Sequence, residues 1–110
     1  MQRLQNLRRS FTKLGRFTVE HVPRNDYIYL TPEEHKYSLV FLHGLGDSAR
    51  GFVDVFAHEE YDLVPKECKV ILPTAPVQPV SLNMGMEMTS WFDVYGVHNQ
   101  SGGPITLKEV

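Results

Sequence analysis

The chain has little or none of several features that would indicate particular functions. Cys68 is the only cysteine among 110 residues, so no disulfide can form within the chain, and we expect a reducing compartment such as the cytoplasm. No apolar run approaches the length of about 18 residues that a transmembrane helix requires, so we predict no membrane-spanning segment. The net charge is −2 at pH 7 and the part after residue 17 is acidic, so we predict no nucleic-acid partner.

Motifs for metals and cofactors are also missing. The five histidines show no i, i+4 pair and no cysteine–histidine ligand spacing, and the glycines do not form a phosphate-binding or dinucleotide-binding pattern. We therefore predict no metal site and no cofactor.

The positive charge of the chain is concentrated at its N-terminus. Residues 1–17 contain five arginines and lysines and no acidic residue, whereas all 13 acidic residues lie in 18–110. Apolar residues from Leu4 to Leu14 recur at helical spacing, which predicts a basic amphipathic helix. This pattern is typical of a mitochondrial transit segment, but also of a solvated extension or a membrane-surface helix. We predict a basic extension over 1–17 and a domain over 18–110, with a mitochondrial location as the alternative to a cytoplasmic one.

The most informative segment runs from Leu39 to Asp47 and reads LVFLHGLGD. An unbroken apolar run of this length predicts a strand buried on both faces, as in a parallel sheet. The glycines after it predict a sharp turn, and Asp47 and Ser48 are good N-cap residues for a helix over Gly51–His58. Backbone N–H groups in such a turn, at the carboxyl end of a strand, can stabilise a developing oxyanion.

The remaining elements follow from strand and turn signals. Two short strands, Phe17–Val22 and Tyr27–Leu30, flank a turn and predict an antiparallel hairpin. Further strands are predicted at Ser38–Leu42 and Lys69–Leu72. We expect 73–104, which is rich in proline and glycine, to be irregular.

Three segments together resemble a known family. These are LVFLHGLGDSARGF, the strand ending in LPTAPVQPV, and SLNMGMEMTSWFD, and their order and spacing resemble the acyl-protein thioesterase branch of the carboxylesterase family. The resemblance covers about Thr18 to Val110. It implies an α/β-hydrolase fold, with a mostly parallel sheet after an N-terminal antiparallel hairpin. It also implies a serine hydrolase that cleaves acyl thioesters or carboxylic esters through an acyl-enzyme.

The catalytic triad of that family has no counterpart in the sequence. The nucleophile belongs to a Gly-x-Ser-x-Gly elbow, followed along the chain by an acid and a histidine. None of the six serines lies in that pattern. Residues 106–109 also fit a capping box, which predicts that a helix begins at Thr106, shortly before the last residue; this helix lies outside the residues that the structure describes. We therefore expect a partial fold, truncated before the elbow and inactive alone.

The resemblance assigns roles around the glycine turn. The backbone N–H of Leu45 corresponds to one half of the oxyanion hole. His43, Gly44, Gly46 and Asp47 are expected to be structural loop residues. We interpret His43 as a buried structural histidine, because the family's general base lies far downstream, and Asp47 as a loop anchor and helix cap.

A methionine-rich segment is the predicted substrate-binding region. By resemblance it forms the wall of an acyl-chain channel; the alternative is packing into the core beneath a long loop. The predicted substrate-binding residues are Leu82, Met84, Met86, Met88 and Trp91.

A second functional hypothesis belongs to a different class. The chain would then be a non-catalytic half-domain that binds an acyl chain or a protein partner. In the resembled fold, strand Ser38–Leu42 is central, and here one of its neighbours is expected to be missing. The result would be an exposed apolar edge open to self-association or to a partner.

Overall fold

A computed structural model of the chain describes residues 8–95. The chain divides into two compact units, Met1–His43 with Asp47–Thr74, and Gly44–Gly46 with Ala75–Val110.

The first unit contains a five-stranded sheet. Its strands are β1 (Ser10–Leu14), β2 (Phe17–Val22), β3 (Tyr27–Pro32), β4 (Tyr37–Val40) and β5 (Cys68–Leu72). Their order in the sheet is β1-β2-β3-β5-β4, so β5 lies between β3 and β4. The connection from β4 to β5 contains a 3₁₀ turn, Ala49–Phe52, and a short helix α1, Val53–Ala57.

The predicted hairpin is confirmed by the pairing of β2 with β3. The two strands are antiparallel, with Val19 opposite Leu30 and His21 opposite Ile28. Alternate residues of β3 are buried, because successive side chains point to opposite faces of the strand and one face is less covered than the other. The turn is stabilised locally, because the Tyr27 N–H donates to Asn25 Oδ1 at 3.0 Å.

The sheet is mixed, where a mostly parallel sheet was expected. Among the described residues only β4 and β5 pair in parallel, and the other three ladders are antiparallel. The difference follows from connection length. Short turns join β1 to β2 and β2 to β3, and such turns permit only antiparallel pairing, whereas the helical crossover before β5 permits parallel pairing.

Residues 10–14 form strand β1, where helical spacing predicted an amphipathic helix. The register puts Leu14 opposite Phe17, leaving a two-residue turn of Gly15 and Arg16. Gly15 has φ of +56°, a conformation that glycine adopts readily and that a tight hairpin requires. Pairing with β2 therefore overrides the helical pattern. The earlier part of that predicted helix, residues 1–7, lies outside the described residues, and the domain boundary at residue 17 stays a prediction.

The core of the first unit lies between the sheet and the segment that is formed by the 3₁₀ turn and helix α1. The predicted helix Gly51–His58 is confirmed in place, but its first turn is 3₁₀ and its α-helical part is shorter. The Phe41 ring packs on Phe52 and Phe56, with centroids 4.7 and 5.2 Å apart. The fully buried side chains beneath them include Phe17, Leu30, Val70 and Leu72.

Strand β4 is an edge strand among the described residues. It pairs with β5, but all four of its residues are exposed. The prediction of a strand buried on both faces is therefore wrong. The apolar composition of the strand suits a buried position, but the elements described within residues 8–95 leave its side chains exposed.

The second unit contains a two-stranded hairpin, where irregular structure was expected. Strands β6 (Val77–Val80) and β7 (Met86–Thr89) are antiparallel and are joined through a 3₁₀ turn, Ser81–Asn83. Met84 and Gly85 complete the connection with φ of +57° and +77°. No helix within residues 8–95 is long and apolar enough to cross a membrane.

Candidate functional site

The glycine turn is attached to strand β7. Gly46 donates its backbone N–H to the Thr89 carbonyl at 2.9 Å. Gly46 has φ of +80°, so a residue with a side chain would be strained there. The turn Gly44–Gly46 is therefore held by its last residue.

The Leu45 N–H is an unused donor in this turn. None of the backbone hydrogen bonds found within residues 8–95 uses it, and the residue is 45% exposed. An oxyanion hole requires a backbone N–H with this availability, since a donor already paired within the fold cannot serve a substrate. The assignment of Leu45 stays a prediction.

The residues flanking the turn differ in environment. His43 is only 3% exposed, so it lies where a structural histidine is expected. The Asp47 carboxylate accepts the Ser48 N–H at 2.8 Å. It also lies over Gly51, where an added Cβ would be 2.6 Å from Asp47 Oδ1. This arrangement fits a loop anchor, while Ser48, the N-cap residue, makes no side-chain capping bond. The roles of both residues stay predictions.

Thr74 holds the beginning of the 3₁₀ turn and was not singled out from the sequence. Its hydroxyl accepts the Ala49 N–H at 2.9 Å across 25 residues. The Thr-Ala-Pro segment gave no local signal for this contact, because the two residues meet only once β5 is in place.

The predicted substrate-binding residues lie on the hairpin of the second unit and just after it. Met84 is fully exposed in the turn, and Met86 on β7 is 64% exposed. Leu82, Met88 and Trp91 are half-buried. Met84 and Met86 are therefore not packed into the core. The channel role stays a prediction for all five residues.

Asp93 organises the connection between β6 and β7. Its carboxylate accepts the Ser81 N–H at 2.8 Å, the Ser81 hydroxyl at 2.6 Å and the Val94 N–H at 2.8 Å. The hydrogen bonds from Ser81 hold the pKa of the Asp93 carboxyl below its usual value of 3.8. This residue was also missed, since its partner lies 12 positions away.

Two polar side chains donate hydrogen bonds within the same hairpin. Gln78 donates from Nε2 to the Ser90 carbonyl at 2.6 Å. Asn83 donates from Nδ2 to the Met88 sulfur at 3.4 Å.

Neither Ser90 nor Cys68 has the environment of an activated nucleophile. Ser90 is buried, and its hydroxyl donates to the Phe92 carbonyl. Burial raises the pKa of the Cys68 thiol, which keeps it in the unreactive protonated form. No group of His, Cys, Asp or Glu within residues 8–95 is arranged to hold a metal ion.

A cleft of about 320 Å³ lies in the first unit, and none of the residues predicted to be functional lines it. It carries both signs of charge, and its lining residues are Lys13, Gly15, Arg16, Pro32, Glu33, Glu34, Lys66 and Glu67.

Comparison with known proteins decides the family. The model of the phospholipase/carboxylesterase family matches residues 25–104, which include the glycine turn and the methionine-rich segment. The chain belongs to the phospholipase/carboxylesterase family. This confirms the resemblance that the three sequence segments carried.

Two relatives with assigned names show the degree of similarity. The chain is 48% identical over 65 residues to acyl-protein thioesterase 1 of Mycosarcoma maydis, covering 59% of this chain and 27% of that protein. It is 36% identical over 78 residues to acyl-protein thioesterase 1 of Gibberella zeae, covering 71% of this chain and 32% of that protein.

A solved structure supports the fold class of this member of the phospholipase/carboxylesterase family. The crystal structure of Zea mays acyl-protein thioesterase 2 matches with a TM-score of 0.57 and 36% identity. The match covers 67% of this chain and 31% of that one, so the chain spans about a third of the length of such proteins. The α/β class is thereby confirmed.

Proposed function

We propose that the chain supplies the oxyanion-stabilising part of a serine hydrolase that cleaves acyl thioesters or carboxylic esters. The observation that carries the proposal is the glycine turn. Its last N–H is bound to Thr89, while the Leu45 N–H is left without an acceptor among residues 8–95. Membership of the phospholipase/carboxylesterase family supports the reaction class.

In the proposed reaction, a serine outside these 110 residues attacks the acyl carbonyl. The carbonyl oxygen then becomes an oxyanion and accepts the Leu45 N–H, while a second donor comes from the residue after the nucleophile. The tetrahedral intermediate collapses and expels the thiol or alcohol, leaving an acyl-enzyme that water hydrolyses. A single oxyanion donor typically contributes about 10²- to 10³-fold to kcat.

The methionine-rich segment would bind the acyl chain. Met84 and Met86 present flexible, polarizable side chains to solvent, and such side chains adapt to apolar ligands of varied shape. Three half-buried residues lie near them in the sequence and would complete an apolar wall: Leu82, Met88 and Trp91.

The first test concerns activity of the chain alone. We expect a fluorophosphonate probe, which phosphonylates activated serines with loss of fluoride, to leave the 110-residue chain unlabelled, because no serine lies in a nucleophile elbow. Zea mays acyl-protein thioesterase 2 is the positive control. Labelling that is lost in Ser48→Ala or Ser90→Ala would contradict the proposal.

The oxyanion role is tested in a chimaera in which residues 25–104 replace the matching segment of that Zea mays protein. Leu45→Pro removes the N–H and should lower kcat about 10²-fold or more. Leu45→Ala keeps the N–H and is the matched control, with kcat within a few fold of the parent. Equal kcat values for the two variants would refute the assignment.

A non-catalytic role in binding an acyl chain or a partner is the second candidate. It is favoured by the exposure of apolar residues on β4 and in the hairpin turn.

We further propose a cytoplasmic location, with a mitochondrial one as the alternative because of the basic residues 1–17. The single, buried cysteine supports a reducing compartment.

A further inference from the structure

The chain after β7 returns along β6. In this return segment (residues 90–94), Ser90 donates its N–H to the Pro76 carbonyl at 3.0 Å, just before β6 begins. Just after β6 ends, Leu82 donates its N–H to the Val94 carbonyl at 2.7 Å. The return segment is therefore attached to the chain on both sides of β6.

Asp93 joins the return segment to the 3₁₀ turn by both of its carboxylate oxygens. Oδ1 accepts the Ser81 N–H at 2.8 Å, and Oδ2 accepts the Ser81 hydroxyl at 2.6 Å. Hydrogen bonds to an ionised acceptor are about twice as strong as those between neutral groups, and two of them to one residue also fix its orientation. Since the preceding residue, Val80, is fully buried, the start of the turn Ser81–Asn83 is held from both sides.

Residues predicted to contact the acyl chain lie on both sides of this contact between Asp93 and Ser81. On one side, Leu82 follows Ser81 within the turn, and Met84 donates its N–H back to the Ser81 carbonyl at 3.2 Å. On the other side, Trp91 lies on the return segment, shortly before Asp93. One carboxylate therefore connects the two parts of the predicted apolar wall.

On the basis of the proposed function, we propose that Asp93 is a positioning residue that sets which acyl-chain lengths the site accepts. It acts through Ser81, because it holds the turn that carries Leu82 and Met84. Without the carboxylate the turn gains conformational freedom. A long acyl chain must then order the turn as it binds, and this ordering weakens its binding.

The oxyanion donor is held by a different contact. The glycine turn is attached to β7 through the Gly46 N–H and the Thr89 carbonyl, and this bond involves neither Ser81 nor Asp93. A short acyl group needs only the donor near its carbonyl, whereas a long one also extends to the hairpin. Loss of the Asp93 carboxylate should therefore impair the hydrolysis of long-chain esters and leave that of short-chain esters unchanged.

The chimaera that carries residues 25–104 in the Zea mays protein tests this selectivity with p-nitrophenyl acetate and p-nitrophenyl decanoate. Asp93→Asn should raise KM for the decanoate about tenfold, the effect of losing the contact of about one methylene in an apolar pocket. The kcat for the decanoate and both parameters for the acetate should stay unchanged, because only binding of the distal chain is lost. Glu87→Gln, exposed on β7, is the charge-matched control and should behave as the parent.

Two variants of Ser81 test the same contact from the other side. Ser81→Ala removes the hydroxyl but keeps the N–H bond to Asp93, so KM for the decanoate should rise by less than in Asp93→Asn. Ser81→Thr keeps both donors and should retain the parent values. Circular dichroism verifies that each variant folds, and the Ser81 pair decides the question if Asp93→Asn does not.

The outcomes separate this positioning role from the proposed function. A parent chimaera that hydrolyses neither ester would overturn the proposed function and the role of Asp93 with it. An active parent in which Asp93→Asn affects both esters equally, or neither, would overturn the positioning role alone. The same holds if Ser81→Ala and Ser81→Thr give equal KM values for the decanoate.

Discussion

At the residue scale, Asp93 shows how one carboxylate holds an exposed connection together. It accepts three hydrogen bonds, two of them from Ser81, and these favour its ionised form. The pKa of Asp93 in the folded chain is therefore below 3.8, the value expected when it is unfolded. A depressed pKa stabilises the fold above the unfolded value, and this contribution is lost as the pH falls through the folded value.

The corresponding prediction compares the wild type with Asp93→Asn. At pH 7 the variant should have the lower Tm, because the amide cannot replace the charge-assisted hydrogen bonds of the carboxylate. The difference should shrink once the pH falls below 3.8. Thermal melts between pH 7 and pH 2 measure it. Glu87→Gln, exposed on β7, is the charge-matched control and should follow the wild type; a constant Asp93→Asn deficit at every pH would disagree with this account.

Residues of the candidate site divide into those that local sequence reveals and those that it does not. Gly46 was predictable, because a glycine pair after an apolar run indicates a turn with positive φ. The contacts of Thr74 with Ala49 and of Asp93 with Ser81 were not, since they join positions 25 and 12 residues apart. Such pairs depend on strand register, which single residues do not report.

At the element scale, α1 is short and depends on its aromatic contacts. A helix of five residues has little stability of its own, because nucleation costs more than so few hydrogen bonds return. Phe56, on α1, is 8% exposed, and its ring meets the Phe41 ring edge-on at 5.2 Å. Packing on the sheet, rather than helix propensity, therefore maintains this element.

Removing the Phe56 ring should destabilise the chain strongly. Phe56→Ala leaves a cavity beneath α1, and such substitutions cost about 3–5 kcal/mol. Urea unfolding followed by circular dichroism measures the free energy. Phe92→Ala removes the same ring at a site that is 56% exposed and should cost far less. Similar losses for the two variants would mean that α1 is not packed as described.

The elements themselves were partly predictable. The β2–β3 hairpin, β5 and the helix between β4 and β5 follow from apolar pattern and turn residues. Strand β1 was hidden by helical spacing, and its pairing depends on the turn at Gly15. The β6–β7 hairpin was hidden by Pro79, which usually argues against a strand. Here it lies in a two-stranded sheet, and within residues 8–95 strand β6 pairs with β7 alone.

At the scale of the whole molecule, the two units differ in the number of strands in their sheets. Within residues 8–95, the first has five strands and a buried core, whereas the second has one hairpin. Isolated two-stranded hairpins are marginally stable in water. The second unit should therefore open more readily.

Native-state hydrogen exchange tests this difference. Leu30 of β3 lies opposite Val70 of β5. We expect the backbone amides around this pair to exchange at the rate of global unfolding. Amides of β6 and β7 should exchange faster by about tenfold or more, through local opening. Equal protection of the two hairpin strands and β3 would show that the units unfold together.

The insertion of β5 between β3 and β4 has a consequence for synthesis on the ribosome. Strands β1 to β3 pair with their immediate neighbours in sequence, so this part can form as soon as residue Pro32 has emerged. The partner of Leu30 in β5, Val70, is made about 40 residues later, which at typical translation rates is about 2–8 seconds. During that interval the apolar edge of β3 has no partner in the nascent chain, and a factor that binds extended apolar segments would find it there.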